Sequence, residues 1–306
     1  MTDHTLFRRC ATVALGLLVA IGACTTSEAP SSQQTNPPPP PLLSKAQADS
    51  LGQVVAVDAD AMIEGTGFDA TAVLPFSPAG AASLSSPSSG PWCMPTKSPD
   101  PVTNSDGDPV PDSVRIDFTG CTFGTRHGTV TLGGTIDFID PTPTTTDRAI
   151  KTVYTGFAQT TTDAQGDTIW AFTEDGSREA IGTSSALQFT EANFLTTWRW
   201  RDRSAQHLKN WSAMFTADTA GTITSRRLPS GTWDLSGTST YIRSAADTDT
   251  LSFTVATNPG LHYNRSCMDW PRFDSGTLTA VVTKNGATAT VTIAFTACGQ
   301  FTVTKS

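Results

Sequence analysis

The sequence predicts a mainly β protein: an antiparallel meander that forms a curved or barrel-like sheet, with one N-terminal amphipathic helix. Beyond Phe68, apolar residues alternate with polar ones in short segments that are bounded by Gly, Asp, Asn or Pro. These segments recur every ten residues or so, as in an all-β fold. No later helical pattern is long enough to be a parallel crossover, so the strands are expected to be antiparallel.

The first 23 residues have the layout of an export signal. Arg8 and Arg9 precede an apolar run, 11–23, that is shorter than the roughly 20 residues a transmembrane helix needs. The run ends in Ile-Gly-Ala followed by Cys24, which resembles the lipobox of bacterial lipoproteins. The resemblance implies cleavage before Cys24 and lipidation of its thiol with palmitate-like acyl chains. The alternative is an ordinary secretory signal with an incidental cysteine.

The lipobox resemblance implies an exported protein that is anchored to the cell envelope through Cys24. Thr25 stands where an aspartate commonly marks inner-membrane retention, so the outer membrane is expected. Residues 24–41 are rich in Ser, Thr and Pro and end in five consecutive prolines, which predicts an extended tether. The rest, 42–306, is expected to form a single β-rich domain.

Charge narrows the possible partners. The net charge is −8, which argues against nucleic acid because phosphate binding needs clustered Lys and Arg. The expected partner is the membrane, through the Cys24 anchor. A protein, a glycan or a lipid remains open as the partner of the folded domain.

The N-terminal helix is predicted over residues 44–64. Ser44 and Gln47 have the spacing of a capping box. Apolar residues follow at helical spacing: Ala48, Leu51, Val55, Ala59 and Met62. Gly52 lowers the helix propensity of this segment.

Seven later segments show the clearest strand pattern: GTVTLGGTIDFI, KTVYTGFAQT, DTIWAFTE, FLTTWRWR, WSAMFTA, GTWDLSGTSTYIR and TLSFTVAT. They are rich in Thr, aromatic and β-branched residues, as strands are. A long antiparallel sheet twists and must close or cover its edges. We therefore expect a curved sheet with the helix packed on it.

An internal repeat indicates how the cysteines pair. VRIDFTGC ends at Cys121 and VTIAFTAC ends at Cys298, and a Cys-Met pair precedes each, at Cys93 and Cys267. Four cysteines allow three pairings, and the repeat selects Cys93 with Cys121 and Cys267 with Cys298. An exported protein is expected to form disulfides. A zinc site is disfavoured because the Cys-x-x-Cys spacing is absent.

The stretch NSDGDPVPD, 104–112, is the candidate metal site. Its oxygen ligands would be Asn104, Asp106, Asp108 and Asp112, which suit calcium. It departs from the EF-hand pattern at Pro109, and it resembles a single thrombospondin type 3 repeat. Such a calcium ion would be structural, and no other cofactor is expected.

A solvated turn is the alternative for the same stretch. In the second copy of the repeat, Asn285-Gly286 occupies the corresponding position and suits a type I′ hairpin turn. The acidic stretch is therefore expected to connect two strands as well.

Recognisable enzymatic machinery is absent from the sequence, so no catalytic residue is assigned. There is no Gly-x-Ser-x-Gly elbow, Walker loop or dinucleotide fingerprint. FDSGT, 273–277, resembles the aspartic protease signature, but that chemistry needs a second copy. The histidines beyond the signal, His127, His207 and His262, lack metal-ligand spacing.

The stretch WRWRDRSAQHLKNW is the candidate ligand-binding surface. On a strand, Trp198 and Trp200 share one face while Arg199 and Arg201 share the other, and Trp211 follows. The indoles would stack on a glycan or an apolar ligand. The alternative is that they pack in the core.

Three functions are consistent with these observations. The first is a lipid-anchored envelope or surface protein with a non-enzymatic binding or structural role. The second is a carrier of a hydrophobic ligand or lipid, because a curved sheet with a helix across its mouth resembles the half-barrels of lipid carriers. The third is a hydrolase whose site is assembled from distant strands.

Overall fold

A computed structural model describes residues 42–65, 93, 95–108, 110–125, 128–145, 148–201, 203–223, 228–244, 249–284 and 286–306. The export signal, the lipidation site Cys24 and the tether lie outside the described residues. Within them the chain forms one helix and a sheet of 14 strands, so the mainly β prediction is confirmed. In the same ranges, no helix has the length and apolar content that crossing a bilayer requires.

The helix α1 spans Lys45–Gly65, one residue from its predicted bounds. The capping box is formed as predicted. The backbone N–H of Ser44 donates to the side-chain oxygen of Gln47 at 2.8 Å, and the N–H of Gln47 donates to Ser44 Oγ at 3.2 Å. All five apolar positions of the predicted stripe are buried, so α1 is held by packing as well as by its cap.

The strands follow one another through the sheet. They are β1 (Thr96–Ser98), β2 (Ser113–Asp117), β3 (Cys121–Thr125), β4 (Gly128–Ile139), β5 (Arg148–Thr162), β6 (Thr168–Gly182), β7 (Ala186–Trp200), β8 (Arg203–Ala217), β9 (Gly231–Ser244), β10 (Asp249–Thr257), β11 (Leu261–Tyr263), β12 (Phe273–Lys284), β13 (Ala287–Ala297) and β14 (Gln300–Lys305). The order is β1-β2-β4-β5-β6-β7-β8-β9-β10-β12-β13-β14, with β3 beside β4 and β11 beside β9 and β12. The pairings are antiparallel, as predicted.

The central strands are longer than the sequence pattern predicts. β6 and β7 each have 15 residues, whereas the predicted segments stop at Glu174 and start at Phe194. The residues that look like strand ends, Gly176 and Asn193, lie inside these strands at register shifts. A β-bulge inserts one unpaired residue and lets the strand continue, so turn-forming residues here mark bulges.

Four neighbouring strand pairs, from β4–β5 to β7–β8, are irregular at the same level of the sheet. The residues at these irregularities have positive φ: Gly134 (75°), Gly156 (54°), Gly176 (107°) and Asn193 (47°). We call this row the bulge line. Bulges bend a strand and increase its twist, so the bulge line divides the sheet into two ends.

One face of the sheet bears the helix. From this helix-bearing face His207 of β8 reaches Asp58 of α1 at 3.2 Å, and α1 also packs against β12, β13 and β14. Gly52 of α1 lies against β14, where an added Cβ would be 2.7 Å from a Val303 methyl group. The glycine that weakens helix propensity is therefore needed for close packing.

The two predicted disulfides are confirmed as Cys93–Cys121 and Cys267–Cys298. The two repeat copies also have matching connections. β12 and β13 form the predicted hairpin, closed by the pair Lys284 and Ala287. β1 and β2 pair across the acidic stretch, which connects them as predicted.

We predict that Gly52→Leu destabilises the protein although leucine is the better helix former. The larger side chain would push α1 away from Val303 and Ile293, and overpacking of this kind costs about 1–3 kcal/mol. Gln53→Leu is the matched control because Gln53 is exposed on the same helix. Urea unfolding of the two variants measures the difference, and equal stability would contradict the tight contact.

Candidate functional site

The three tryptophans proposed as a ligand surface all lie on the helix-bearing face. Trp198 pairs with Ala205, and Trp211 lies six residues further along β8 on the same face. Trp211 is 1% exposed and Trp200 is 49% exposed, with Trp198 half-buried between these extremes. Trp211 thus lies in the core, as the core interpretation expects. Trp200 lies at the exposed rim, as the binding interpretation expects, and Trp198 lies between them.

Beyond the bulge line, this face carries an uncovered group of aromatic side chains. Phe172 pairs with Trp198 across β6 and β7. Its ring stacks on Trp170 with centroids 5.8 Å apart and meets Phe157 edge-on at 6.4 Å. We call Phe157, Trp170, Phe172, Trp198 and Trp200 the aromatic patch. Its members are half-buried or exposed.

On the other side of the bulge line the same face is fully packed. Ala180, Phe189, Ala213 and Leu235 are aligned across four strands and are all buried. The change from packed to open occurs along one continuous surface. The aromatic patch therefore continues the core at lower burial.

Charged residues lie buried between these two regions. Glu191 of β7 accepts from Arg178 Nε at 2.9 Å and lies 3.1 Å from Lys209 Nζ. Asp58 of α1 lies 3.2 Å from His207 Nδ1 and 3.9 Å from Lys209 Nζ. We call these five residues the buried charge cluster. It links α1 to three adjacent strands at the level of the bulge line.

Two members of the cluster have pKa values shifted toward their charged forms. Burial by itself would raise the pKa of Asp58, but the nearby Lys209 and His207 hold this pKa below its ordinary value. Burial by itself would lower the pKa of Arg178, but the nearby carboxylate of Glu191 helps to raise this pKa. Burial raises the pKa of the neighbouring Tyr154 to about 12, so the phenol stays neutral. The surroundings thus favour the charged forms of Asp58 and Arg178.

Asp58 and His207 belong to a longer hydrogen-bonded chain. His207 Nε2 lies 3.2 Å from Ser239 Oγ, which also accepts from Trp211 Nε1 at 2.9 Å. The order Asp, His, Ser is that of a catalytic triad. However, Ser239 is 3% exposed and His207 is 1% exposed, so the chain lies beneath α1 and satisfies buried polar groups.

The predicted calcium ligands separate into two groups. Asp112 accepts from the N–H of Ser105 at 2.7 Å and from its hydroxyl at 2.6 Å. Asn104 Oδ1 accepts from the N–H of Gly107 at 2.8 Å. Asn104 and Asp112 therefore fold the loop, as the turn interpretation expects.

Asp106 and Asp108 instead meet a residue that the sequence did not indicate. One oxygen from each of Asp106, Asp108 and Asp140 lies within 4.8 Å of the others. Asp140 follows β4 and is far along the chain, so local spacing gives no sign of it. Burial, together with the charges of Asp106 and Asp140, raises the pKa of Asp108 against the hydrogen bond from Val110.

The aspartate of the protease-like motif FDSGT has structural partners. Asp274 lies 2.7 Å from His262 Nδ1 and accepts from Asn264 Nδ2 at 2.7 Å. His262 Nε2 lies 3.1 Å from Asp218. These contacts join β11 to its neighbours, so Asp274 is engaged by side chains of its own part of the sheet. His127 lies outside the described residues.

No protein family, curated protein or solved structure matches this chain. The function is therefore argued from the geometry of the aromatic patch, the buried charge cluster and the acidic loop.

We predict that Glu191→Gln lowers the free energy of unfolding by about 3–5 kcal/mol, because it removes the carboxylate paired with buried Arg178 and leaves Lys209 with only the more distant Asp58. Glu179→Gln is the control, since Glu179 pairs with Lys151 at 3.9 Å on the surface and should contribute less than about 1 kcal/mol. Urea unfolding of both variants gives the comparison. Similar losses of unfolding free energy in the two variants would show that a buried ion pair contributes no more to stability here than a surface one.

Proposed function

We propose that this protein is an exported, lipid-anchored, non-enzymatic binding protein of the outer membrane, and that it carries an apolar ligand on the aromatic patch. The ligand we propose is the acyl chain of a membrane lipid. One observation supports this most: five aromatic side chains that are half-buried or exposed lie together on a face whose adjoining part is buried core. Extended apolar surface of this kind marks a binding site.

We also propose that the sheet curves around α1 and forms a concave, half-barrel surface. Gly52 touches β14 and Asp58 touches β8, and these residues are about 9 Å apart along the helix. Along a flat sheet, β14 and β8 would be five strand spacings apart, about 24 Å. The helix contacts both strands over a shorter distance than a flat sheet would allow, which supports a sheet bent toward the helix. The bulge line supports the same proposal, because β-bulges bend strands.

The chemistry of the patch favours a hydrocarbon. Each buried CH₂ contributes about 0.8 kcal/mol, and aromatic walls offer a large contact area. Glu174 pairs with Phe157 on the same face, and burial raises its pKa although Arg178 and Lys209 oppose this. Burial thus favours the neutral carboxyl at this place, which suits an apolar chain better than an ionic group, so we place the tail over the patch and the headgroup toward solvent.

The anchor supports a ligand from the membrane. The tether 24–41 has 18 residues and spans about 55 Å when extended, at roughly 3.1 Å per residue. This length is the largest distance between Cys24 and the start of the domain. The domain therefore stays close to the membrane lipids in which the acyl chains on Cys24 would be embedded. The proposed ligand is therefore abundant where the protein is anchored.

A second candidate function is an acyl hydrolase acting through Ser239. The observation in its favour is the chain Asp58–His207–Ser239, whose two contacts are both 3.2 Å. The burial of Ser239 and the hydrogen bond from Trp211 to its hydroxyl support a structural role instead. We therefore place the carrier first.

We predict that the chain, secreted from a cleavable signal with Cys24→Ala, binds cis-parinaric acid and carries lipid mass in a native mass spectrum. Trp198→Ala should weaken binding of the probe by about tenfold or more, because loss of one large apolar contact costs about 1.5–3 kcal/mol. Trp200→Ala, at the exposed rim, should weaken binding less. Fluorescence titration measures both affinities.

Met214→Ala is the matched control. Met214 is 43% exposed and lies on the opposite face of β8, so its removal should leave probe binding unchanged. A bare protein mass, with equal affinities for all variants, would overturn the carrier. Labelling by a fluorophosphonate that disappears in Ser239→Ala would favour the hydrolase in its place.

A further inference from the structure

The acidic loop and the end of β4 form a buried cluster of like charge. Asp140 is 3% exposed, and its Oδ1 accepts from the N–H and the hydroxyl of Thr142 at 2.8 and 3.3 Å. Its Oδ2 is buried and has no hydrogen-bond partner, and the same is true of Oδ2 of Asp106. Within the described residues, two buried carboxylate oxygens are thus left unsatisfied beside a third carboxylate, Asp108.

Such an arrangement needs a positive group. Buried polar atoms in folded proteins are nearly always paired, and a buried carboxylate requires an opposite charge, a metal or protonation. Asp140 is aimed at the loop because Thr142 holds its other oxygen. The backbone adds to this, since the N–H of Asp140 donates to the carbonyl of Asp112 at 3.1 Å.

We propose that Asp106, Asp108 and Asp140 bind a calcium ion that ties the β1–β2 connection to the end of β4. The donors are all carboxylate oxygens, which suit hard cations such as calcium and disfavour zinc or copper. Asp106 and Asp108 are only partly buried, so water can complete the six to eight oxygens that calcium takes.

This site differs from the one that the sequence pattern suggests. Asp106 and Asp108 each use one oxygen for a backbone N–H of the loop, at 3.1 and 2.7 Å. Asn104 and Asp112 are engaged within the loop and lie outside the cluster, and the third carboxylate, Asp140, directly follows β4. The ion would therefore join two parts of the sheet, whereas the sequence pattern predicts an ion held within one loop. It would add a second constraint to an edge that the disulfide Cys93–Cys121 already holds.

The test uses the full chain after removal of divalent cations with a chelating resin. Isothermal titration with CaCl₂ should give a dissociation constant of roughly 10⁻⁴–10⁻³ M, the range of extracellular calcium modules. At 5 mM CaCl₂ the melting temperature should rise by about 5 °C. Asp140→Asn and Asp106→Asn should each abolish most of this rise, and either variant suffices if the other fails to fold.

Two comparisons make the result specific. Asp112→Asn should keep the calcium-induced rise, because Asp112 is engaged by Ser105 and lies outside the cluster. Without calcium, Asp140→Asn should melt no lower than the natural chain, because the substitution removes charge repulsion from Asp106 and Asp108. If Asp140 had a purely structural role, the variant would instead be less stable both with and without calcium. The proposal is overturned if NaCl of equal ionic strength gives the same rise, or if Asp140→Asn responds to calcium like the natural chain.

Discussion

The constraint on which the rest of this structure depends is that a single helix must cover one face of a very wide sheet. A helix of 21 residues is about 31 Å long and about 10 Å wide. Twelve strands in one path span about 53 Å when flat. A flat sheet would leave most of the helix-bearing face in water. The bulge line and the close approach of Gly52 to β14 are both ways of bringing more of this face to the helix.

The helix is also fixed by charge on two sides. Asp58 meets His207 and Lys209 of β8, whereas Asp60 is bound by Arg272, just before β12, with Nη2 to Oδ1 at 2.9 Å. Burial raises the pKa of Asp60 although Arg272 opposes it, so this pair adds little net stability. Its effect is on specificity, since only one rotation of α1 brings both aspartates to their partners.

Features with local causes could be predicted from the sequence. The cap at Ser44, the stripe of α1 and the β12–β13 hairpin depend on residues within one turn or one pair of strands. The disulfides followed from a repeat, which carries long-range information in the sequence itself. The predicted segments for β6 and β7 were too short because Gly176 and Asn193 serve as bulges, and turn chemistry is the same in both settings. Asp140 and the chain Asp58–His207–Ser239 depend on pairings across the sheet, for which spacing gives no signal.

The two edges of the sheet are formed by short strands with contacts of their own. An exposed edge strand invites pairing with another chain, and short or covered edges prevent this. β1 has only 3 residues and is held close to Cys93–Cys121 and to the acidic loop. β14 has 6 residues, and its Lys305 donates to the carbonyl of Leu43, at the start of α1. Each edge is thus protected by its own contacts. In the carrier that we propose, protected edges would let the sheet stay open and keep the aromatic patch accessible to a ligand.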